Sequence, residues 1–371
     1  MTYFIIAGEP SGDLHASNLI KALKEEDPSA SFQYWGGDKM QEASGVAPLK
    51  HIKELAFMGF LEVAQNLPTI FKNIKLCKKQ IEDAQPDVVI LIDYPGFNLK
   101  IAKFAHQKGI KVYYYISPKV WAWKQKRVYT IKENVDQMFC ILPFETSFYQ
   151  RFGVAVDYIG NPLMDAIEQH QKEFVPKLTE SKDPKPIIAL LPGSRKQEIH
   201  YNLPNMLSMV KEFPNHQFIL AATKNLPNEL YTNLIGDIDI TLVFDKTYEI
   251  VSQAEAALVT SGTATLETAL LNTPQVVCYK ANPVSYNIAK KLVTIKFISL
   301  VNLIMDREIV RELIQGEMNQ DMVKSELSKI IKGGKNREQM LKDYSKMQNM
   351  VGGSGASSRA AKLMVKYLKN N

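Results

Sequence analysis

Cysteine is scarce in this 371-residue chain: Cys77, Cys140 and Cys278 form an odd, widely spaced set without a CxxC pair. That excludes a disulfide framework, offers no zinc site, and points to a reducing cytoplasm. No apolar run approaches the roughly 18 residues that a membrane span needs, so any membrane contact is expected to be peripheral. The opening MTYFIIAGEPSGD lacks a basic n-region and soon reaches a polar turn, which does not fit a signal peptide. His15, His51, His106, His170, His200 and His216 do not pair at metal-ligand spacings, and no metal is expected. A GxSxG elbow and a GxxxxGKS/T loop are both missing, which argues against an α/β-hydrolase and a P-loop NTPase. Charge of either sign is not in great excess: 45 Lys and Arg stand against 39 Asp and Glu, a net +6. Scattered basic residues at that modest balance argue against a nucleic-acid binder and suit anionic small molecules or a membrane surface.

What is present is a globular composition, 46% apolar and 23% charged, with length enough for about two domains. Short β-rich runs alternate with amphipathic stretches, the mark of parallel βαβ units. Strands are predicted at Tyr3–Ala7, Phe32–Trp35, Val88–Ile92, Val112–Ile116, Met138–Leu142 and Val156–Ile159. A proline-rich, charged stretch from Glu168 to Pro186 reads as a linker. The rhythm restarts with Ile187–Leu191, Gln217–Ala221, Ile240–Val243, Ala256–Val259 and Gln275–Tyr279. The expected fold class is α/β: two doubly wound, Rossmann-like domains, residues 1–170 and 186–350, with a cleft between them. From Asp306 on the chain reads as wholly helical, and the last helix, about 355–371, can cross back onto the first domain.

In doubly wound sheets ligands sit at the carboxyl ends of strands, and four loops there stand out. In AGEPSGD (Ala7–Asp13), Gly8 and Gly12 permit a tight turn, and Ser11 or Asp13 can cap the helix that Leu14 begins. A cap does not explain Glu9, a carboxylate in a strand-end crevice. In LIDYPGFN (Leu91–Asn98), Asp93 emerges where the most apolar strand ends, and Pro95 with Gly96 delays the next helix. Such a carboxylate can take a proton from a substrate hydroxyl, or simply cap the turn. In LLPGSRKQEI (Leu190–Ile199), Gly193 turns the chain, Ser194 starts a helix suited to phosphate, and Arg195 adds a fork; a Ser194–Gln197 capping box is the plainer reading. In VTSGTATLE (Val259–Glu267), Ser261, Gly262 and Thr263 suit a diphosphate, and Glu267 lies one turn on, where a carboxylate can bind a diol such as ribose.

These motifs resemble the lipid-A-disaccharide synthase family, glycosyltransferases of the two-Rossmann-domain (GT-B) type. The resemblance is carried by AGEPSGD, ELAFMGFLEV (Glu54–Val63), Asp93 with Asn98, YISPKVWAWKQKRV (Tyr115–Val128), LPFE (Leu142–Glu145), IGNPL (Ile159–Leu163), LLPGSR (Leu190–Arg195), SGTATLE (Ser261–Glu267) and VNLI (Val301–Ile304), in family order along nearly the whole chain. It implies transfer of 2,3-diacylglucosamine from UDP to the 6-hydroxyl of 2,3-diacylglucosamine 1-phosphate (lipid X), with inversion, giving the β-1,6-linked disaccharide 1-phosphate and UDP. It also implies that the first domain receives the acceptor and the second binds the UDP-sugar. No cofactor and no metal are implied, because basic side chains and helix N-termini stabilise the leaving diphosphate.

By that carry-over Asp93 is the candidate base, with Glu9 and Asp13 as possible partners, since Gly96 stands where many relatives have a second acid. Ser11, Gly12, Asn98, Met58, Trp121, Lys126 and Arg127 are the acceptor-side candidates. Gly193, Ser194, Arg195, Ser261, Gly262, Thr263, Glu267 and Asn302 are those for UDP. Acylated substrates imply contact with the anionic inner-membrane surface from the cytoplasm. Phe57, Met58, Phe60 and Leu61 with Lys72, Lys75 and Lys79 can supply it, and Trp121 and Trp123 can add interfacial aromatics. Relatives can also associate as homodimers through exchanged C-terminal segments. The competing readings are another UDP-sugar enzyme of the same fold, such as a UDP-N-acetylglucosamine 2-epimerase or the glycosyltransferase of peptidoglycan precursor synthesis, and a non-catalytic nucleotide-sugar or lipid binding protein. The peptidoglycan enzyme's GxGGH turn is absent, and a binding protein would have no need of Asp93.

Overall fold

A computed structural model describes residues 1–55, 67–173 and 185–370. The chain divides into two compact units, Met1–Pro162 with Gly353–Asn371, and Leu163–Gly352. The apolar cluster expected at Phe57, Met58, Phe60 and Leu61 lies outside the described residues.

The first unit is built on a seven-stranded sheet: β1 (Thr2–Ala7), β2 (Ser31–Gly36), β3 (Lys50–His51), β4 (Val88–Ile92), β5 (Lys111–Tyr115), β6 (Gln137–Cys140) and β7 (Asp157–Tyr158). Its order is β3-β2-β1-β4-β5-β6-β7, every pairing parallel. Strand order reverses between β1 and β4, which are paired with Ile6 against Leu91 and Ala7 against Ile92. The loops after these two strands therefore emerge side by side at the topological switch point. β4, VVILI, is buried at all five positions, because helices cover both faces of the sheet and leave no polar side to alternate with.

The terminal helix Ala356–Lys369 is part of this unit's core. Its Ala360, Ala361, Met364 and Val365 join Ile5, Ala16 and Ile20 in one apolar cluster. Small residues on that face bring the helix close to Pro10–Glu26, and Arg359 donates from Nε to the Ile159 carbonyl at 2.8 Å.

The second unit carries β8 (Ile187–Leu191), β9 (Gln217–Ala222), β10 (Thr241–Phe244), β11 (Ala254–Thr260), β12 (Gln275–Tyr279) and β13 (Glu312–Ile314) in the order β10-β9-β8-β11-β12-β13. Here β8 and β11 meet at the switch point, Leu191 opposite Val259. β13 corrects the expectation of an all-helical end: three residues after Asp306 pair parallel with β12. So short a strand gives no alternation to read. The stretch expected as a linker is likewise helical at its start, because the helix Leu163–Glu173 runs through Glu168. Among the described residues no helix is long and apolar enough to cross a membrane.

Candidate functional site

In the first unit the site is built at the ends of β1 and β4. Asp93 and Tyr94 both hold left-handed backbone conformations, φ +42° and +48°, an arrangement that costs energy and must be imposed by the surroundings. Asn98, fully buried, donates its amide to the carbonyls of Ile92 at 3.2 Å and Asp93 at 2.8 Å. The buried Tyr114 hydroxyl donates to the Asp93 carbonyl at 2.5 Å. Gly8 makes room for the third constraint, since a Cβ there would stand 2.5 Å from the Tyr94 ring. The helix after Asp93 starts at once, with Pro95 at its first position, and not after the pause expected from Pro95 and Gly96. A proline fits there because the first helical residue needs no N–H partner.

The turn leaves the Asp93 carboxyl in a low-dielectric crevice. Burial raises its pKa to about 6, Lys119 pulls it down, and Glu9 pushes it further up. Glu9 is the N-cap residue of Pro10–Glu26 and makes no side-chain cap bond. Ser11 is exposed in the first turn of that helix. Gly12 lies against the sheet, where a Cβ would meet the Ala7 Cβ at 3.3 Å.

Asp13 has a different task from the one expected. Its buried carboxylate accepts from the backbone N–H groups of Gly37 at 2.7 Å and of Lys39 and Met40 at 3.2 Å each, and so caps the helix Asp38–Ser44. A carboxylate with its lone pairs so occupied is committed to holding the neighbouring helix. The expected cap of its own helix does not form either, because Pro10 and not Leu14 begins that helix.

Trp121 is core and not interface. It is 7% exposed, its Nε1 donates to Glu145 Oε1 at 3.1 Å, and its ring meets Phe144 edge-on at 5.0 Å. Glu145 was not among the expected site residues. It is fully buried, accepts from the N–H groups of Ile141 and Leu142, and burial raises its pKa to about 7. A Pro at the first and a Glu at the third position of Pro143–Gln150 was the signal for such a cap. Through Trp121 this carboxyl anchors the segment that carries Lys119 and Trp123. The half-buried Trp123 ring is flanked by Lys124 Nζ at 4.5 Å and the Arg127 guanidinium at 5.6 Å, while Lys126 is exposed beside them.

In the second unit the ends of β8 and β11 carry the other group. Gly193 sits at φ +109°, and a Cβ there would run into Glu198. The Ser194–Gln197 box does not form; Glu198 Oε2 instead accepts from the N–H groups of Ser194 and Arg195 at 3.1 and 3.2 Å. Arg195, two-thirds exposed, donates to the other oxygen of Glu198 at 3.0 Å. Backbone amides that gather a carboxylate can gather a phosphate. The helix Thr263–Leu270 starts after Gly262 without a side-chain cap, and Thr263 is exposed at its first position. Ser261 donates to the Ile298 carbonyl at 2.8 Å, and Glu267 accepts from the Tyr248 hydroxyl at 2.9 Å. Burial raises the Glu267 pKa.

Asn302 makes its hydrogen bonds within its own unit. It is fully buried and spends both ends of its amide inside the protein, on Ile309, Val310 and Glu312. Thus Glu9 and Asp93 act on one another in one unit, Arg195 and the Ser261–Thr263 turn follow the paired strands β8 and β11 in the other, and Asp13, Asn98, Trp121 and Asn302 hold backbone and neighbours in place. Among the described residues no group of three His, Cys, Asp or Glu side chains is disposed to hold a metal ion.

Comparison with known proteins points to the same family. The model of the lipid-A-disaccharide synthetase family matches residues 3–366. A lipid-A-disaccharide synthase of Myxococcus xanthus is 38% identical over 372 residues, covering 98% of this chain and 97% of that protein. One of Syntrophus aciditrophicus is 37% identical over 375 residues, covering 99% and 98%. Among solved structures, the UDP-GlcNAc 2-epimerase of Neisseria meningitidis bound to UDP-GlcNAc aligns with a TM-score of 0.69 at 13% identity, covering the whole of both chains. The glycotransferase of kitacinnamycin aligns with a TM-score of 0.64 at 12% identity over 99% of each chain. Identities that low speak to a shared fold, two parallel-sheet α/β units of the GT-B type, and not to epimerase chemistry. With nearly its full length matched by the family and by relatives well above 30% identity, the chain belongs to the lipid-A-disaccharide synthetase family.

Proposed function

We propose that the chain is an inverting UDP-sugar glycosyltransferase that joins two acylated glucosamines. It moves 2,3-diacylglucosamine from UDP-2,3-diacylglucosamine to the 6-hydroxyl of lipid X, yielding the β-1,6-linked disaccharide 1-phosphate and UDP. The observation that carries this reading beyond family membership is Asp93, a carboxyl on a left-handed turn at a sheet switch point with a pKa near 6. A base poised just below neutral pH is ionised when needed and still basic enough to share a proton.

In this mechanism Asp93 takes the proton of the acceptor 6-hydroxyl as that oxygen attacks the anomeric carbon. The bond from that carbon to the UDP oxygen breaks, and its electron pair leaves with the diphosphate. Glu9 is the assisting carboxylate, since Asp13 is committed to the amides of Gly37, Lys39 and Met40. Lys119, Lys126 and Arg127 supply positive charge for the acceptor 1-phosphate. On the donor side Arg195 and the amides of Ser194 and Arg195, exchanging Glu198 for the ligand, receive the diphosphate across the turn of Gly193, together with the uncapped helix start at Gly262 and Thr263, with Glu267 on the ribose. Preorganised dipoles and guanidinium groups stabilise the charge that grows on the leaving group.

Both substrates are lipids, so the protein works at the anionic inner-membrane surface from the cytoplasmic side. Lys72, Lys75 and Lys79 share the exposed face of the helix Leu67–Ala84 with Phe71, which is 60% exposed. Such a face can lie on anionic headgroups. The terminal helix Ala356–Lys369 is the segment two copies would exchange in a homodimer. The test is incubation of UDP-2,3-diacylglucosamine with and without lipid X, with the lipid product weighed by mass spectrometry. UDP release that requires lipid X, with a disaccharide 1-phosphate formed, supports the reading. UDP release without acceptor would replace it with hydrolase or epimerase-like chemistry.

A further inference from the structure

Glu312, in the edge strand β13, is 6% exposed and has four hydrogens pointed at its carboxylate. Oε1 accepts from the Ser299 N–H at 3.0 Å, the Ser299 hydroxyl at 2.7 Å and the Asn302 amide at 2.9 Å. Oε2 accepts from the Ile298 N–H at 2.9 Å. Asn302 closes the network by accepting from Ile309 at 2.8 Å and Val310 at 3.0 Å. The polar atoms of this cluster find their partners inside the unit, which is how a buried polar group is made tolerable.

The consequence lies in the peptide unit between Ile298 and Ser299. Its N–H donates to Glu312 Oε1, and its C=O accepts the Ser261 hydroxyl at 2.8 Å. One rigid amide plane is therefore held from both sides, by a buried carboxylate on one and by the first residue of the SGT turn on the other. We propose that Glu312 is a positioning residue for the donor diphosphate: through the Ile298–Ser299 peptide and Ser261 it fixes the turn whose amides, at Gly262 and Thr263, receive the UDP leaving group. The inference rests on the donor reading of that turn. It assigns the VNLI segment an indirect part, with Asn302 serving Glu312 and touching no nucleotide.

An amide cannot replace this carboxylate. Glu312→Gln puts an NH2 group opposite either the Ile298 N–H or the Ser299 and Asn302 donors, so that donors face donors. The experiment is UDP titration by calorimetry on the full chain for wild type, Glu312→Gln, Ser261→Ala and the double variant, with Arg195→Ala as reference. Thermal midpoints and the two KM values are recorded alongside. Each single change at 312 or 261 is expected to weaken UDP about tenfold, the scale of one lost hydrogen bond. The double variant is expected to bind no more weakly than the weaker single, because both changes cut the same tie, whereas Arg195→Ala combined with Glu312→Gln multiplies. Donor KM rises and acceptor KM stays.

Unchanged UDP affinity in Ser261→Ala and Glu312→Gln, or losses that multiply between these two, overturns the inference and leaves Glu312 a structural residue. If Glu312→Gln does not fold, Ser261→Ala alone decides: weaker UDP binding at an unaltered thermal midpoint upholds the tie, and full affinity overturns it. Failure of wild type to bind UDP at all would instead remove the donor reading, and this inference with it.

Discussion

The Asn98 side-chain amide donates to the backbone carbonyl of Asp93 at 2.8 Å, from one turn into the helix that follows it. Together with the Tyr114 hydroxyl on the same oxygen, it holds a residue at φ +42° that relaxation would otherwise carry to an ordinary conformation. Asn98→Ala removes this tie and leaves two buried carbonyls with fewer donors, at a cost of about 1–3 kcal/mol. Its expected signature is a fall in kcat of about tenfold or more with UDP affinity intact, read by steady-state kinetics beside UDP titration. Weakened UDP binding would show that the change spreads beyond the Asp93 turn.

Two neighbours act on the Asp93 carboxyl in opposite senses, Lys119 lowering its pKa and Glu9 raising it. Glu9→Gln is expected to move the acidic limb of kcat/KM to lower pH, and Lys119→Met to move it to higher pH. The pair of profiles checks the assignment, because a limb belonging to substrate ionisation moves in neither variant.

The same carboxyl makes stability depend on pH with a definite sign. Its folded pKa, about 6, lies above the ordinary 3.8, so between these values the folded state binds more protons than the unfolded one. Stability therefore falls as pH rises from about 4 to about 6, and the ionised carboxyl is a cost at neutral pH. Asp93→Asn is expected to raise the melting temperature at pH 8 by about 2–4 °C per kcal/mol relieved, and the gain should vanish near pH 4. Scanning calorimetry at both pH values reads this directly; a variant less stable at pH 8 would contradict a strained, desolvated carboxylate.

Lys72→Glu with Lys75→Glu reverses two charges on the exposed face of Leu67–Ala84. At about 1 kcal/mol per basic residue near an anionic surface, sedimentation with phosphatidylglycerol vesicles should drop at least tenfold at low salt. The difference should fade in high salt as the charges are screened. Equal sedimentation at low salt would place the membrane contact elsewhere.

The two sheets and the loops that matter were legible because buried parallel strands announce themselves as apolar runs, Val88–Ile92 and Ile187–Leu191 above all. β3 and β13 escaped because strands of two and three residues carry no period. The candidate site is legible in the sequence as loops at strand ends, and the tasks of its residues much less so. Asp13, Asn98 and Asn302 are polar residues at the right loops, but their partners are backbone amides and carbonyls brought together by the fold, some of them distant in sequence. Nothing in a local pattern separates a carboxylate that caps a neighbouring helix, such as Asp13, from one proposed as a base, such as Asp93. Glu145 and Glu312 were passed over for the same reason: both are buried acids whose purpose is visible only from the donors around them.

The most direct test of the central claim is the pH dependence of kcat/KM for disaccharide formation in wild type and in Asp93→Asn. If Asp93 is the base, wild type loses activity below about pH 6. The variant is then slower by about 10²- to 10⁴-fold, retains UDP binding, and lacks that limb. Near-normal turnover in the variant, or an acidic limb that survives the substitution, would contradict the account and move the proton transfer to another residue.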